Sequence, residues 1–380
     1  MSRFSIGLVI DDSLDKPDGV QQYVKTLGGW FEDQGHNVHY LASGSGTSAN
    51  NKIHTLSKNI QVHFNGNRLN IPYPANKENI RKLLESMKLD VLHIQLPCSP
   101  WLAGRVVRAA PAETAVVGTF HIVPDSQLVR LSSHPLRLYE HNILNRFQSV
   151  MSVSPIAQKF ARSAYGLASV VVPNVIDLKK YPKTKSRPVK SNPVTIIFLG
   201  RLVERKGCEY LLKAVVKLRD RPNLAQFRVL VAGKGPLEAT LKQFVANHGL
   251  EKIVTFEGFI DESKKTDFLY VADIAVFPST GGESFGIVLL EAMAASPGVV
   301  LAGNNEGYAS VMSPHYDQLF VPSHSQLLAD KLAYYINDPS ARQVAHNWQT
   351  RHVKSFSVEL IGPRIVDIYQ QALRDARDVR

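Results

Sequence analysis

Short apolar runs rich in β-branched residues recur along this chain with longer amphipathic segments between them, and they fall into two sets. FSIGLVI, NVHYLA, VLHIQ, TAVVGTF and SVMSV make the first set; VTIIFLG, FRVLVAG, IVTFEG, DIAVFPS and GVVLAG make the second. Near-continuous apolar strands alternating with helical stretches are the pattern of stacked βαβ units, whose parallel sheets are covered on both faces. Helices of the first set are read at residues 21–34, 77–88 and 154–165. Two doubly wound α/β domains follow, and 380 residues suit two domains of roughly 100–200 residues each.

The segment VPNVIDLKKYPKTKSRPVKSNP between the sets is dense in proline and lysine and has no periodicity, so it is expected to be a linker. The expected division is a first domain at 1–173, a linker at 174–192 and a second domain at 193–357. In the remainder, 358–380, Ile361, Ile365, Ile368 and Ala372 share one helical face, which must return to pack on the first domain.

Composition narrows the function classes. At 44% hydrophobic and 20% charged residues the chain is an ordinary globular protein with enough material for a core. Cys98 and Cys208 are its two cysteines, too few for a disulfide framework or a cysteine-ligated zinc site, and they fit a reducing compartment. The apolar run at the N-terminus is too short for a signal peptide or a membrane span, so a cytoplasmic protein without a transmembrane anchor is expected. Of the net charge of +11, residues 1–173 carry +5, 174–192 carry +5 and 193–380 only +1. Such asymmetry suits an anionic surface, nucleic acid or acidic lipid, approached by the first domain and linker; solubility alone would also account for it.

Doubly wound sheets bind ligands at the carboxyl ends of their strands, so the turns there carry the chemistry. GRLVERKG sets Arg201, Arg205 and Lys206 in one strand-to-helix turn, where cations beside a helix start favour a phosphate or diphosphate. AGKGP supplies Gly233 and Gly235, which either let a ligand near the backbone or merely permit a tight turn. DKPDGVQ puts Gly19 at the start of the first helix with free amides for an anion. In GGESFGIVLLEAMAAS, residues 281–296, Ser284 is a candidate helix cap, Glu283 precedes the helix and Glu291 lies two turns along it. Carboxylates so placed accept hydrogen bonds from vicinal hydroxyls, as two sugar rings require. His121 and Thr119 sit at the end of TAVVGTF, where a lone histidine is as well explained by packing as by catalysis.

Together these turns resemble the retaining GT-B glycosyltransferases of family 4, and within that family the bacterial phosphatidylinositol mannosyltransferases. The likeness runs through DGVQ, LDVLHIQ, GTFH, VPNVID, FLGRLVERKG and ADIAVFPSTGGESFGIVLLEAMAA. It implies two Rossmann-like domains facing across a cleft, the first for the acceptor and the second for the sugar nucleotide. It also implies roles: Arg201 and Lys206 neutralise the diphosphate, Glu283 holds hydroxyls of the transferred sugar and His121 contacts that sugar near the reacting carbon. The amides of Ser284, Phe285, Gly286, Ile287 and Val288 assist, Glu291 binds the ribose, and Gly19 approaches the diphosphate. The base is expected near Gly233, Gly235, Gly258 and Ile260, with Glu262 accepting from a guanine edge. Asp12, Gln21 and Thr119 are the expected acceptor contacts.

The resemblance further implies GDP-mannose as donor substrate, no cofactor, no metal, and a phosphatidylinositol-like lipid acceptor reached at the inner face of the cell membrane. This chain departs from the family at Asp18, beside Gly19, and at Asp11 and Asp12, where phosphatidylinositol enzymes carry a prolyl-aromatic pair. Both put the inositol acceptor in doubt. A basic, amphipathic stretch with Lys77, Arg81, Lys82, Lys88, Ile80, Leu83, Leu84 and Met87 is a candidate membrane contact, or an ordinary surface helix. Competing readings are a soluble glycan or metabolite transferase using UDP-glucose, and a polyanion-binding α/β protein. The chain has no aromatic RNA-binding strand, so nucleic acid is not an expected partner.

Overall fold

The computed structural model describes residues 3–15, 18–44, 52–64, 67–72, 76–123, 143–181 and 192–378. The stretch 182–191 of the expected linker lies outside these. The chain forms two compact units, one of residues 1–176 with 357–380 and the other of residues 177–356.

Unit 1 is built on β1 (Ser5–Val9), β2 (Asn37–Ser43), β3 (Ile53–Ser57), β6 (Val91–Gln95), β7 (Ala115–Phe120), β8 (Ser149–Ser152) and β9 (Val170–Val171). They pair in parallel in the order β3-β2-β1-β6-β7-β8-β9, with β4 (Asn59–Phe64) and β5 (Asn67–Pro72) as a separate antiparallel hairpin. The helices α1 (Gly19–Asp33), α2 (Lys77–Met87), α3 (Leu102–Ala109) and α4 (Pro155–Tyr165) join these strands. Local chemistry fixes their ends: at α4, Ser154 accepts from the Ala157 amide, Pro155 opens the first turn and Gly166 closes the helix in the left-handed region.

Unit 2 contains β10 (Val194–Leu199), β11 (Phe227–Ala232), β12 (Val254–Gly258), β13 (Ile274–Phe277), β14 (Val299–Gly303) and β15 (Leu319–Phe320), all parallel, in the order β12-β11-β10-β13-β14-β15. Its helices are α5 (Cys208–Arg219), α6 (Glu238–Asn247), α7 (Glu262–Tyr270), α8 (Ile287–Ala295), α9 (Glu306–Met312), α10 (Ser325–Asn337) and α11 (Pro339–His352). In both sheets the strand order reverses beside the first strand, and that switch point opens a crevice at the carboxyl ends of β1 and β6, and of β10 and β13.

The last helix, α12 (Val358–Asp378), belongs to unit 1. The Val358 amide bonds the Ile176 carbonyl at 2.9 Å, and Ile361, Ile365, Val366, Tyr369 and Ala372 enter the core formed by β1, β2 and α1. Each fully buried isoleucine there contributes about 1.5–3 kcal/mol. Val175 and Ile176 are buried in unit 1, so the chain leaves that unit three residues beyond the expected boundary at 173.

The hydrophobic positions of α2 also have a definite destination. Ile80 and Leu84 are buried in a core cluster, with Met87 partly buried against it. Outside, Arg81 pairs with Glu78 at 2.8 Å and with Glu85 at 3.8 Å, and Lys82 lies 3.8 Å from Glu78. Of the two readings of this helix, packing on the core accounts for Ile80 and Leu84, while Leu83 is half-buried outside that cluster and part of the charge is paired within the helix. Among the described residues no helix is long and apolar enough to cross a membrane.

Candidate active site

Two turns of unit 2 are forced together by glycine. Gly207 follows a short 3-10 turn, Glu204–Lys206, at φ +70°, and a β-carbon on it would lie 2.0 Å from the Pro278 carbonyl oxygen. The turn after β10 therefore lies flat on the turn after β13. Thr280 donates its amide to the Arg205 carbonyl at 2.9 Å, and the Ser279 hydroxyl lies 3.0 Å from the same oxygen.

This packing delivers two cations to one carboxylate. Glu283 Oε1 receives Lys206 Nζ at 2.8 Å, Arg205 at 2.9 Å and the Ser279 hydroxyl at 2.8 Å. All three of these contacts fall on the same carboxylate oxygen. Burial works against the charged form of Glu283, but Lys206 first and Arg205 next outweigh it and hold the carboxyl below its usual range. Gly307 backs the loop: a β-carbon there would meet the Glu283 carbonyl oxygen at 2.0 Å.

Helix α8 starts immediately afterwards, but not through the expected cap. Gly286, at φ +111°, is the N-cap residue, and no side chain caps the helix. The left-handed backbone there needs glycine, so Ser284 cannot fill that place. Phe285 is buried, its ring edge-on to Phe356 at 5.7 Å, so its side chain anchors the loop, while the amides of Ile287 and Val288 open the first turn.

Farther along α8, Glu291 is 5% exposed and is met by Lys265 of α7 at 2.6 Å. Lys265 also pairs with Glu262 at 2.8 Å, so the carboxylate expected at a guanine edge is engaged within its own helix. Burial penalises the Lys265 ammonium, yet Glu291 and Glu262 together hold its pKa above the ordinary value. Arg201 is exposed at the end of β10. Gly233 and Gly235 are accounted for without a ligand: β-carbons there would fall 1.8 Å from the Gly200 carbonyl oxygen and 2.3 Å from that of Leu202. Gly258, at φ +69°, faces open space, and Ile260 beyond it is half-buried.

In unit 1, His121 follows β7 and is buried, with Nε2 2.7 Å from Gln95 Oε1 and its ring edge-on to Tyr23 at 4.9 Å. Burial lowers its pKa to about 3, which keeps the imidazole neutral. Gly19 is exposed and opens α1; Asp18, its N-cap residue, makes no side-chain capping bond.

The residues expected to touch the acceptor each have a hydrogen-bond partner within unit 1. Thr119 is fully buried and hydrogen-bonded to His93 at 2.6 Å, inside the unit and away from its surface. Gln21 is 3% exposed and donates to the Ser13 carbonyl at 3.1 Å, bracing the loop after β1. Asp12 Oδ1 accepts the Ser13 amide at 2.7 Å. Asp11 is tucked under the start of α3, accepting the Ala103 amide at 2.6 Å and the Ser99 hydroxyl, so it holds a helix end. Sequence reasoning gave no role to Ser279, Lys265 or Gln95, and set Arg205 toward a phosphate rather than toward Glu283. Each is an ordinary polar residue until the fold sets it beside Glu283, Glu291 or His121.

Two Rossmann-like units of this kind are the GT-B fold. A glycosyltransferase structure from Rickettsia africae superposes with a TM-score of 0.76, covering 98% of this chain and 99% of that one at 17% identity. The family models described as Glycosyl transferases group 1 and Glycosyltransferase Family 4 match residues 181–351 and 17–180. A phosphatidyl-myo-inositol mannosyltransferase of Mycolicibacterium smegmatis is 30% identical over 375 residues, 96% of this chain and 93% of the relative. One of Propionibacterium freudenreichii is 29% identical over 386 residues, 97% and 95% of the two chains. The chain belongs to the family 4 glycosyltransferases.

Proposed function

We propose that this glycosyltransferase moves mannose from GDP-mannose, with retention of configuration, to a hydroxyl of a phosphatidylinositol-like lipid. Unit 2 takes the donor and unit 1 the acceptor. The observation that carries the donor reading is the charged knot at Glu283: three donors converge on Oε1, leaving Oε2 to accept from a sugar hydroxyl. The names of the mannosyltransferase relatives support the sugar and the lipid.

In this reading the sugar–phosphate bond breaks as the acceptor oxygen bonds the same carbon from the same face. The acceptor proton passes to the departing diphosphate oxygen. Charge builds on that diphosphate, and Lys206, held on Glu283 just before α8, meets it with little reorganisation, with Arg201 reaching from the turn after β10. Glu283 is held anionic for the sugar hydroxyls; Glu291, whose carboxyl burial raises above its usual range against the pull of Lys265, faces the ribose. His121, neutral, accepts or donates a hydrogen bond without adding charge to the donor sugar.

Turnover across a panel of sugar nucleotides, with and without phosphatidylinositol vesicles, tests donor and acceptor together. Lipid-dependent consumption of GDP-mannose alone is expected. A second reading, a soluble acceptor with UDP-glucose as donor, is favoured by the packing of α2, whose apolar face lies in the core. Lipid-independent transfer from UDP-glucose in the same panel would replace the first reading by the second.

A further inference from the structure

Behind His121 lies a buried hydrogen-bonded chain that crosses unit 1. Tyr369 of α12 holds His93 Nδ1 at 2.7 Å, His93 Nε2 meets the Thr119 hydroxyl at 2.6 Å, and Thr119 bonds the Tyr23 hydroxyl. Tyr23 in turn packs its ring against His121. On its other side His121 touches Gln95, the last residue of β6. Gln95 is fully buried and its Nε2 has no hydrogen-bond partner. A buried donor left unpaired costs about 1–3 kcal/mol. Glutamine at this position is therefore a poor choice for packing, and its one satisfied atom is the oxygen facing His121.

We propose that Gln95 is a positioning residue for His121: by accepting the Nε2 proton it fixes the neutral Nε2–H tautomer and leaves Nδ1 to accept a hydroxyl of the bound donor. The proposal rests on the reading of His121 as a donor contact. The tautomer follows from the bond, because an amide oxygen only accepts, so Nε2 must carry the hydrogen and Nδ1 the lone pair. A leucine of similar size would leave the ring free to exchange tautomers. The titratable groups packed around the ring are Tyr23 from α1 and His93 from β6, with Tyr369 from α12 behind His93. Burial is what keeps the imidazole uncharged among them.

The first measurement reads the tautomer directly, from side-chain nitrogen resonances of histidine-labelled protein with His121→Ala to assign the signal. Nε2–H is expected in the wild type; Nδ1–H overturns the proposal whatever the activity. The second is the pH profile of GDP-mannose turnover, or of UDP-glucose where the panel selects it. In Gln95→Glu a carboxylate faces the ring and raises its pKa, so the ring is charged at low pH and recovers its lone pair as pH rises. With the ring pKa raised by up to about three units from about 3, the variant is expected to lose about tenfold in kcat between pH 8.5 and pH 5, while the wild type changes by less than about twofold. Gln95→Leu is expected to lower kcat about tenfold at all pH values, the lower end of what orienting partners of metal-bound histidines carry. If His121→Ala is impaired but Gln95→Glu keeps the wild-type profile, the role of Gln95 fails and that of His121 stands. If folded His121→Ala turns over normally, the donor-contact reading fails, and the resonances still decide whether Gln95 sets the tautomer.

Discussion

Gly207 and Pro278 lie so close that a β-carbon on the glycine would fall 2.0 Å from the proline carbonyl oxygen, and this contact sets Arg205 and Lys206 against Glu283. The glycine also stands at φ +70°, where a side chain is strained by about 1–3 kcal/mol. Gly207→Ala is therefore expected to lower stability by more than that amount, since the clash adds to the backbone strain, and to lower turnover as well, because it separates the two turns. Thermal unfolding and kinetics on the same preparation check it. An alanine variant with native turnover would mean that the registry of these turns does not matter to the chemistry.

Lys206→Ala and Glu283→Gln are each expected to cost about 10²–10³ in kcat, the usual loss when one preorganised charge stabiliser is removed. Both leave the apolar core of unit 2 untouched, so each should still unfold cooperatively. Native turnover in either folded variant would separate that residue from the reaction.

The same carboxylate makes a pH-dependent contribution to stability. Its folded pKa is depressed below the ordinary 4.5, so the stabilisation is complete above that value and is lost as pH falls through the folded pKa. The stability gap between wild type and Glu283→Gln is expected to be widest near neutrality and to close as pH falls from 4.5 through the depressed folded pKa. Denaturant titrations at several pH values would measure it, and a gap independent of pH would contradict the ion-paired state.

Much of this was legible in the chain, for physical reasons. Inner strands of parallel sheets are buried on both faces, so β1, β2, β6, β7 and β8, and β10, β11, β13 and β14, announce themselves as apolar runs. Of the edge strands only β12 is read, from Val254 and Phe256, although Val254 alone is buried; Ile53–Ser57 is only half-buried along most of its length, and Val170–Val171 and Leu319–Phe320 are two residues each. Glu283 stood out by its place before a helix, but its partner Arg205 depends on Gly207, whose left-handed backbone no periodicity reveals. Thr119 and Gln21 are expected as acceptor contacts because a hydroxyl or amide satisfied inside the protein looks the same in sequence as one that meets a ligand.

Turnover is expected to survive EDTA, because Arg201 and Lys206 supply the positive charge that the diphosphate needs. Among the described residues no group of three or more His, Cys, Asp and Glu side chains could hold a metal ion. Assay of chelated protein with and without added magnesium or manganese decides the matter: complete loss on chelation, restored by either ion, would overturn the assignment to these two cations.

The lipid-acceptor reading makes a sharper demand now that the surface of α2 is known. Ile80 and Leu84 are in the core, so attraction to a bilayer must come from charges, and Arg81 is already shared between Glu78 and Glu85. Lys77, Lys82 and Lys88 are exposed beside it, Lys82 at 3.8 Å from Glu78. A basic residue near an anionic surface contributes about 1 kcal/mol, roughly a fivefold change in binding. Lys82→Glu and Lys88→Glu are each expected to weaken flotation with anionic vesicles by at least that factor, with added salt acting in the same direction. Arg81→Glu is expected to lower helix stability as well, since it sets three acidic residues side by side. Binding that ignores lysine reversal would move the membrane contact off this helix. Indifference of the wild type to anionic vesicles even at low salt would remove the physical basis for a lipid acceptor and favour a soluble one.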